Sequence, residues 1–335
     1  MEKWGGYGYN HRMKKRRLTI PTYFFLILFV LCIVGLVLGS FFDLKISQAI
    51  GDPTGTSVFG AIIETIAIVP AYMLMGFAGC LLGFGILSIA KMEKYKKWKI
   101  FLTIVAILGI IATIAAGTYF LGGQLEANRP YDNYGYRINN KIVAYILAFL
   151  LQAISVPIVY FFLDRENGAK MLKVGAIIAF ALVFQVAVLT VLKRMAGRPR
   201  FRFLFGEDGG NYDGVHYIYQ EWFEFHGSNP RAEAFKSWPS GHSGVSGALI
   251  GLGYLPLVLK KRFKNDCRIL FIIGAVYAFI IFFGRIVAGA HFLSDVATGG
   301  LIAFLGIFLA SFFVEKVFPF EKEVKTEAVE AEVKP

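Results

Sequence analysis

Long apolar runs separated by short polar segments make up most of this chain. A membrane-spanning helix needs about 20 consecutive apolar residues. Eight runs meet or approach that length, and they cover roughly residues 18–42, 64–90, 100–122, 142–163, 174–192, 243–259, 269–286 and 296–314. The last three are the shorter ones and two of them touch polar motifs, as expected where helix ends line a wet site. The pattern predicts an all-α, polytopic membrane protein with about eight transmembrane helices.

The composition agrees with that prediction and excludes several other classes. Of the 335 residues, 56% are hydrophobic and only 17% are charged, whereas a soluble chain carries about 25% charged residues. The net charge of +12 is typical of a nucleic-acid-binding protein, but here the basic residues form short clusters between apolar runs. That distribution is typical of cytoplasmic loops, so we expect the lipid bilayer and no nucleic acid as a partner. Cys32, Cys80 and Cys267 have neither metal-ligand spacing nor a disulfide framework.

The charge pattern also predicts the domain organisation and the orientation. We expect a single transmembrane domain over residues 20–316, between a basic cytoplasmic tail (1–19) and a charged cytoplasmic tail (317–335). The first run is too long for a secretory signal and no small-residue cleavage site follows it, so a retained helix is favoured. With the N-terminus inside, the short basic loops at 91–99 and 260–264 are cytoplasmic as well. These features predict a multi-pass plasma membrane protein with both termini in the cytoplasm.

Three clusters of polar residues interrupt the apolar pattern in the last third of the chain. The first, residues 193–200, ends the fifth run, and the second, residues 237–243, precedes the sixth. The third, residues 284–295, connects the seventh run to the eighth. In the predicted topology all three lie on the outer side of the membrane. Three separate segments should therefore meet at one face and form a site there.

The side chains that meet at this face suit a phosphate group. They are Lys193, Arg200, Arg285, His242, His291 and Asp295. Arginine offers forked donors to phosphate oxygens, and lysine adds a point charge. Ser240 and Gly241 begin a predicted helix whose free N–H groups can bind an anion. His291 and Asp295 are spaced i, i+4, so the carboxylate can hold one imidazole nitrogen while the other attacks. His242 can then protonate the leaving group.

The three clusters resemble the signature of the type 2 phosphatidic acid phosphatase superfamily. That signature is Lys-x6-Arg-Pro, then Pro-Ser-Gly-His, then Ser-Arg-x5-His-x3-Asp, and the resemblance covers roughly residues 170–316. It implies a six-helix phosphatase-type core and a phosphatase that uses a phosphohistidine and needs no metal or cofactor. By this resemblance His291 is the nucleophile, Asp295 orients it and His242 is the acid. The implied phosphate ligands are Lys193, Arg200, Ser240, Gly241 and Arg285.

The chain departs from that signature at two positions. Phe201 follows Arg200 where the signature has proline, and Gly284 stands where it has serine. The first departure leaves two candidates for the motif arginine, because Arg198 is itself followed by proline. Around a helix, Arg198 lies about 140° from Lys193, whereas Arg200 lies on nearly the same face, so the spacing favours Arg200. The missing serine removes no charge, and we expect catalysis to survive.

These residues favour an integral membrane phosphatase acting at the outer face on a lipid phosphate or diphosphate. Phosphatidate, phosphatidylglycerophosphate and an undecaprenyl diphosphate are substrates of this type. The alternative is a soluble sugar phosphate, since the same motifs occur in glucose-6-phosphatase-like membrane enzymes. The apolar runs argue against the soluble vanadate-dependent haloperoxidases, which have a similar phosphate site. A non-enzymatic lipid carrier is disfavoured because both histidines are present. The sequence leaves the oligomeric state open.

Polar residues outside the three clusters receive structural interpretations. Glu64, at the outer start of the second run, is predicted to be a solvent-facing helix cap. Gln152 and Gln185 lie inside apolar runs and are predicted to bond between helices. The long outer loop carries His216 and His226 among aromatic residues. A lid or an interfacial aromatic belt is favoured there over a metal site.

Overall fold

Helices account for nearly all of the ordered elements. The computed structural model describes residues 20–126, 138–164, 167–230, 232–260 and 266–317. The α-helices of this part are α1 (Thr22–Ile50), α2 (Val58–Thr65), α3 (Val69–Ile89), α4 (Lys99–Leu125), α5 (Lys141–Ala153), α6 (Ser155–Phe162), α7 (Gly168–Ala196), α8 (Phe201–Phe205), α9 (Gly241–Gly247), α10 (Cys267–Val287) and α11 (Leu293–Val317). Short 3₁₀ helices cover Glu93–Trp98, Glu233–Phe235 and Ala248–Leu257. The two strands, β1 (Asn211–Tyr212) and β2 (Val215–His216), pair as an antiparallel hairpin. The all-α class is confirmed. The predicted tails lie outside the described residues, apart from Val317.

Seven helical segments of the described chain are long and apolar enough to cross a membrane. They are Thr22–Ile50, Val58–Ile89, Glu93–Leu125, Lys141–Phe162, Gly168–Phe205, Cys267–Val287 and Leu293–Val317. Each coincides with one of the eight predicted runs. Their outer faces are apolar, as lipid contact requires, with Phe41 72% and Ile100 78% exposed. The polytopic membrane architecture is thus confirmed.

The sixth predicted run, residues 243–259, is built differently from the others. Here α9 continues directly into the 3₁₀ helix Ala248–Leu257 instead of forming one long α-helix. A 3₁₀ helix rises about 2.0 Å per residue against 1.5 Å in an α-helix, so the pair extends about 30 Å. That length is about the hydrocarbon thickness of a bilayer. The 3₁₀ segment packs tightly on α10, because a Cβ at Gly274 would lie 2.4 Å from the carbonyl oxygen of Leu249.

The core of the bundle is organised around α11, which contacts α1, α7, α9 and α10. Most of α11 is buried, whereas α4 buries only five of its residues and lies at the periphery.

Two glutamines inside apolar runs were predicted to bond between helices. The Gln152 side chain accepts from Gly76 N–H at 3.1 Å and donates to the Tyr72 carbonyl at 3.0 Å. Its predicted role between helices is confirmed. Gln185, in contrast, is buried and its side chain makes no hydrogen bond within the described residues, so that prediction is wrong.

The long loop between α8 and α9 packs on the C-terminal half of α1. Trp222 stacks on Trp238 with 6.0 Å between ring centroids, and its indole N–H donates to Ser40 Oγ at 2.8 Å. His216 lies on β2, and among the described residues no three His, Cys, Asp or Glu side chains are placed to hold a metal ion. The loop therefore covers one end of the bundle, the end at which α7 and α10 finish.

Candidate active site

Backbone hydrogen bonds join the three polar clusters at this end of the bundle. The N–H of Ser237 donates to the carbonyl of Arg198, and the N–H of Ser240 donates to the carbonyl of Asp295, both at 3.0 Å. Each cluster sits where a long helix finishes or a new helix begins. The structure thus brings the segments predicted to converge into direct contact.

His291 lies in the connection between α10 and α11 and is only 1% exposed. Its Nδ1 is 2.7 Å from the carbonyl oxygen of Ser237. A carbonyl only accepts, so Nδ1 carries the proton and Nε2 holds the lone pair. Burial lowers the pKa of this imidazole well below its ordinary value, and the positive charges of Arg285, Arg200 and Lys193 lower it further. The ring is therefore neutral at neutral pH, with Nε2 able to act as a nucleophile.

Asp295 does not hold His291 in the way that the i, i+4 spacing suggests. Helix α11 begins only after His291, and the nearest carboxylate oxygen is 3.7 Å from Nδ1. The carboxylate instead accepts from the Ser237 hydroxyl at 2.5 Å, the Phe292 N–H at 2.8 Å and Arg198 at 2.6 Å. Ser237 offers its carbonyl to the imidazole and its hydroxyl to the carboxylate. The connection between Asp295 and His291 therefore runs mainly through Ser237.

Arg198 is fully buried and all three of its guanidinium nitrogens are engaged. Nη2 contacts Asp43 of α1 at 3.0 Å, and Nη1 contacts Asp295 at 2.6 Å and Ser294 at 2.8 Å. Nε donates to the carbonyl of Gln220 at 2.8 Å. Charge-assisted bonds of this kind are the stronger hydrogen bonds in proteins. Arg198 is thus a structural cation that ties α1 and the outer loop to the start of α11.

Arg200 occupies a different position from Arg198. It precedes α8, and its Nη2 is 3.3 Å from a carboxylate oxygen of Glu233. Burial alone would raise the pKa of Glu233, but the charge of Arg200 and the hydrogen bond from Lys236 outweigh burial and hold that pKa at about 2. The positive charge of Arg200 also acts on His291. The sequence left Arg198 and Arg200 as candidates for the motif arginine. The guanidinium of Arg198 is bound between Asp43 and Asp295, whereas that of Arg200 is not.

Glu64 is buried, so its prediction as a solvent-facing cap is wrong. Only 1% of the residue is exposed, and it lies near the end of α2. Its carboxylate contacts Arg202 at 2.9 and 3.2 Å and Arg285 at 2.8 Å. The two guanidinium groups supply the countercharge that makes burial of this carboxylate tolerable. Arg285, a predicted phosphate ligand, is consequently held in place by a residue of α2.

His242 lies in the first turn of α9 and is largely buried. Its ring meets the ring of Tyr72 of α3 edge-on, with 6.5 Å between centroids. Ser240 caps the helix because its Oγ accepts from the N–H of Ser243 at 3.3 Å. His242 is therefore held at the boundary between α3 and α9.

Lys193 extends across the beginning of α9. Its Cε lies 3.7 Å from the position that a Cβ would take at Gly241, and its Nζ donates to the carbonyl of Lys236 at 2.7 Å. Helix α7 ends at Ala196, and the next residue, Gly197, has a left-handed φ of 60° that suits glycine. This turn directs the chain from Lys193 back toward the site, where Arg200 follows.

Sequence reasoning missed Asp43 and Arg202 as members of this region. Asp43 lies in α1, just beyond the end of the first apolar run, and is 1% exposed. Acidic residues within membrane helices are rare and usually paired, which is the signal that could have found Asp43. Arg202 carried no comparable signal, because its partner lies 138 positions away in the sequence.

Comparison with known proteins identifies a family that this region resembles. Residues 174–319 match the model of the PAP2 superfamily, so this part of the chain is similar to the type 2 phosphatidic acid phosphatase superfamily. No curated protein and no solved structure matches the chain. The match includes every predicted site residue from Lys193 to Asp295 and excludes Asp43 and Glu64. Together with the membrane-spanning helices, it supports a membrane phosphatase in general.

Proposed function

We propose that this protein is an integral membrane phosphatase that hydrolyses a lipid phosphate or diphosphate through a phosphohistidine, without a metal ion or cofactor. The observation that carries the proposal is the neutral, buried imidazole of His291 within the influence of three cations. Lys193, Arg200 and Arg285 supply the positive charge that a phosphate dianion requires. The superfamily match supports phosphatase chemistry in general.

In the first step, Nε2 of His291 attacks the phosphorus atom and the bond to the leaving oxygen breaks. His242, in its protonated form, gives its proton to that oxygen, so the product leaves as an alcohol, or as a phosphate monoester when the substrate is a diphosphate. The phosphorylated imidazole carries a positive charge while Nδ1 keeps its proton. The carbonyl of Ser237 at 2.7 Å and the carboxylate of Asp295 at 3.7 Å stabilise that charge.

In the second step, water attacks the phosphohistidine and the N–P bond breaks. His242, now neutral, accepts a proton from the water, which restores both histidines and releases inorganic phosphate. Throughout, Lys193, Arg200 and Arg285 offset the negative charge on the transferring phosphoryl group. Fixed donors of this kind are the main source of catalysis in phosphoryl transfer.

The helix ends at which the site lies suit an amphiphilic substrate, whose phosphate stays at the membrane surface. We place this surface on the outer side because the basic residues Lys91, Lys99 and Lys260 lie together at the other end of the bundle. There, Lys260 N–H donates to the carbonyl of Phe162, at the end of α6. Basic loops of this type are retained in the cytoplasm.

The test is a phosphate-release panel on the purified protein in detergent with EDTA present. The substrates are phosphatidate, phosphatidylglycerophosphate, an isoprenyl diphosphate and glucose 6-phosphate. We expect release from at least one lipid substrate, loss of that activity in His291→Ala, and no loss in His216→Ala, the same change in the outer hairpin. Preferred hydrolysis of glucose 6-phosphate would favour the sugar phosphatase alternative, and no release from any substrate would refute the proposal.

A further inference from the structure

A cavity lies at the end of the bundle opposite to the proposed active site. Its volume is about 680 Å³, within the range of about 300–1,000 Å³ that is usual for small-molecule sites. Helix α3 shows how far apart the two places are, because Tyr72 packs on His242 whereas Ser88 lines the cavity. Ser88 follows Tyr72 by 16 residues, which corresponds to about 24 Å along the helix axis. The cavity is therefore separate from the residues that the proposed phosphatase chemistry uses.

The lining of this cavity changes from apolar to basic along the helices that form it. On α3, Phe84 and Leu87 line the cavity, and Lys91 follows about one turn later, just beyond the end of the helix. Lys99 lines it at the first position of α4, and Lys260 lines it from the segment that precedes α10. Three separate segments of the chain thus bring an ammonium group to one cavity, next to an apolar wall.

The cavity has an excess of positive charge. Asp164 is the one acidic residue among the described residues that line it, against the three lysines. Lys91 and Lys99 are exposed, and neither forms an ion pair with a carboxylate of the described residues. The ammonium group of Lys260 donates to the carbonyl of Phe161 at 2.6 Å, which holds it beside the end of α6. The charges of Lys91 and Lys99 are therefore available to an anion that enters the cavity.

We propose that this cavity is a second anion site, which binds the phosphate group of an anionic phospholipid at the end of the bundle away from the active site. Lysine binds phosphate as a point charge, and basic pockets between membrane helices on the cytoplasmic side suit anionic lipid headgroups. The apolar wall beside the lysines favours a lipid over free phosphate, because it can contact the first part of an acyl chain. Lysines that served only to orient the chain in the membrane would require no such cavity.

The experiment compares two double variants that lower the net charge equally. Lys91→Gln with Lys99→Gln removes two lysines of the cavity, whereas Lys94→Gln with Lys97→Gln removes two exposed lysines of the same connection that do not line it. Binding of phosphatidylglycerol and of phosphatidylcholine with identical acyl chains to the purified full chain in a nonionic detergent is measured by native mass spectrometry. Both probes are phosphodiesters, so a phosphatase of monoesters does not consume them. The active site is unchanged in every variant, so a difference between the variants comes from the cavity.

The wild-type protein should bind phosphatidylglycerol about tenfold or more tightly than phosphatidylcholine. The cavity variant should lose that preference, because each lysine near an anionic headgroup contributes about fivefold to affinity. The control variant should keep it, and so should Lys91→Arg with Lys99→Arg, which retains both charges.

Competition by inorganic phosphate distinguishes the two sources of the phosphate group, with sodium chloride at the same ionic strength as the control for screening. Phosphatidylglycerol that resists phosphate supports the lipid headgroup, whereas displacement by phosphate but not by chloride supports an anion site for free phosphate and overturns the lipid assignment. Equal loss of binding in the two double variants, or a wild-type protein without a preference, would overturn the site altogether. No turnover is measured, so these results leave the proposed function untouched, and an inactive protein would leave this inference untouched.

Discussion

Arg198 and Arg200 are two residues apart, yet their replacement by alanine should damage the protein in different ways. Arg198 is fully buried between Asp43 and Asp295, which are 1% and 0% exposed. Its removal leaves two buried carboxylates without their cation. Breaking a buried ion pair in this way costs about 3–5 kcal/mol. Since proteins are stable by only about 5–15 kcal/mol in total, Arg198→Ala should lower the thermal stability severely.

Arg200→Ala should leave the fold largely intact and impair the chemistry instead. Its contact with Glu233 is at 3.3 Å and that carboxylate side chain is 31% exposed, so solvent can replace much of the lost interaction. The loss of one donor to the transferring phosphoryl group should lower kcat on the order of 10²-fold. The two variants therefore separate a structural arginine from a proposed phosphate ligand.

The assay is thermal unfolding of each purified variant in detergent, followed by phosphate release from the folded fraction. Adding Asp43→Asn to Arg198→Ala serves as a control, because it removes one of the two uncompensated charges and should recover part of the stability. The reasoning would be refuted by an Arg198→Ala protein that unfolds at the wild-type temperature. It would also be refuted if folded Arg200→Ala kept wild-type turnover.

Four further predictions concern the covalent step, the α2 carboxylate, the pH dependence and the topology. His291→Ala should abolish the acid-labile phosphate that is found on the rapidly quenched protein, and phosphate mapped to His242 would contradict this assignment. His242→Ala should slow the hydrolysis of alkyl esters more than that of nitrophenyl phosphate, whose leaving group needs little protonation. Glu64→Gln should lower the unfolding temperature, because two buried arginines lose their anion; an unchanged temperature would contradict it. The pKa of His291 in the folded protein lies well below 6.5. Below pH 6.5 the imidazole therefore binds a proton in the unfolded chain but not in the folded protein. Stability measured by thermal unfolding should therefore fall as the pH drops through 6.5, less so in His291→Gln. In a cysteine-free background, Ser228→Cys should react with an impermeant reagent on intact cells; labelling only after permeabilisation would refute the outer-face assignment.

The parts of the fold that could be predicted from the sequence depend on local patterns. Apolar runs of helical length predicted seven of the spanning segments, because the apolar composition of each run is enough to predict a helix within the membrane. The order of those runs placed the three polar clusters at one end of the bundle, where the structure joins them. Successive membrane helices end on alternate sides of the membrane, so the order of the helices was enough to predict that the clusters lie at one end. No contact between side chains had to be known.

The parts that could not be predicted depend on partners far away in the chain. Arg198 and Asp43 are 155 positions apart, and Arg202 and Glu64 are 138 apart. No local periodicity encodes such a pair, so Glu64 was assigned to solvent. The contact between Asp295 and the imidazole was misjudged for another reason: the i, i+4 argument holds only within a helix, and α11 begins after the histidine.

The carboxylates that α1 and α2 contribute determine where this chain can be divided. A fragment limited to residues 174–319 would keep Arg198, Arg202 and Arg285 but lose Asp43 and Glu64. Arg198 would keep Asp295, but Arg202 and Arg285 would both lose the carboxylate of Glu64, and breaking buried ion pairs of this kind costs several kcal/mol. We therefore expect that the family-matching segment does not fold on its own. The N-terminal helices act toward this segment like a second subunit, because they supply the carboxylates that its buried arginines need. A fragment of residues 174–319 should therefore fold only when residues 20–126 are co-expressed with it.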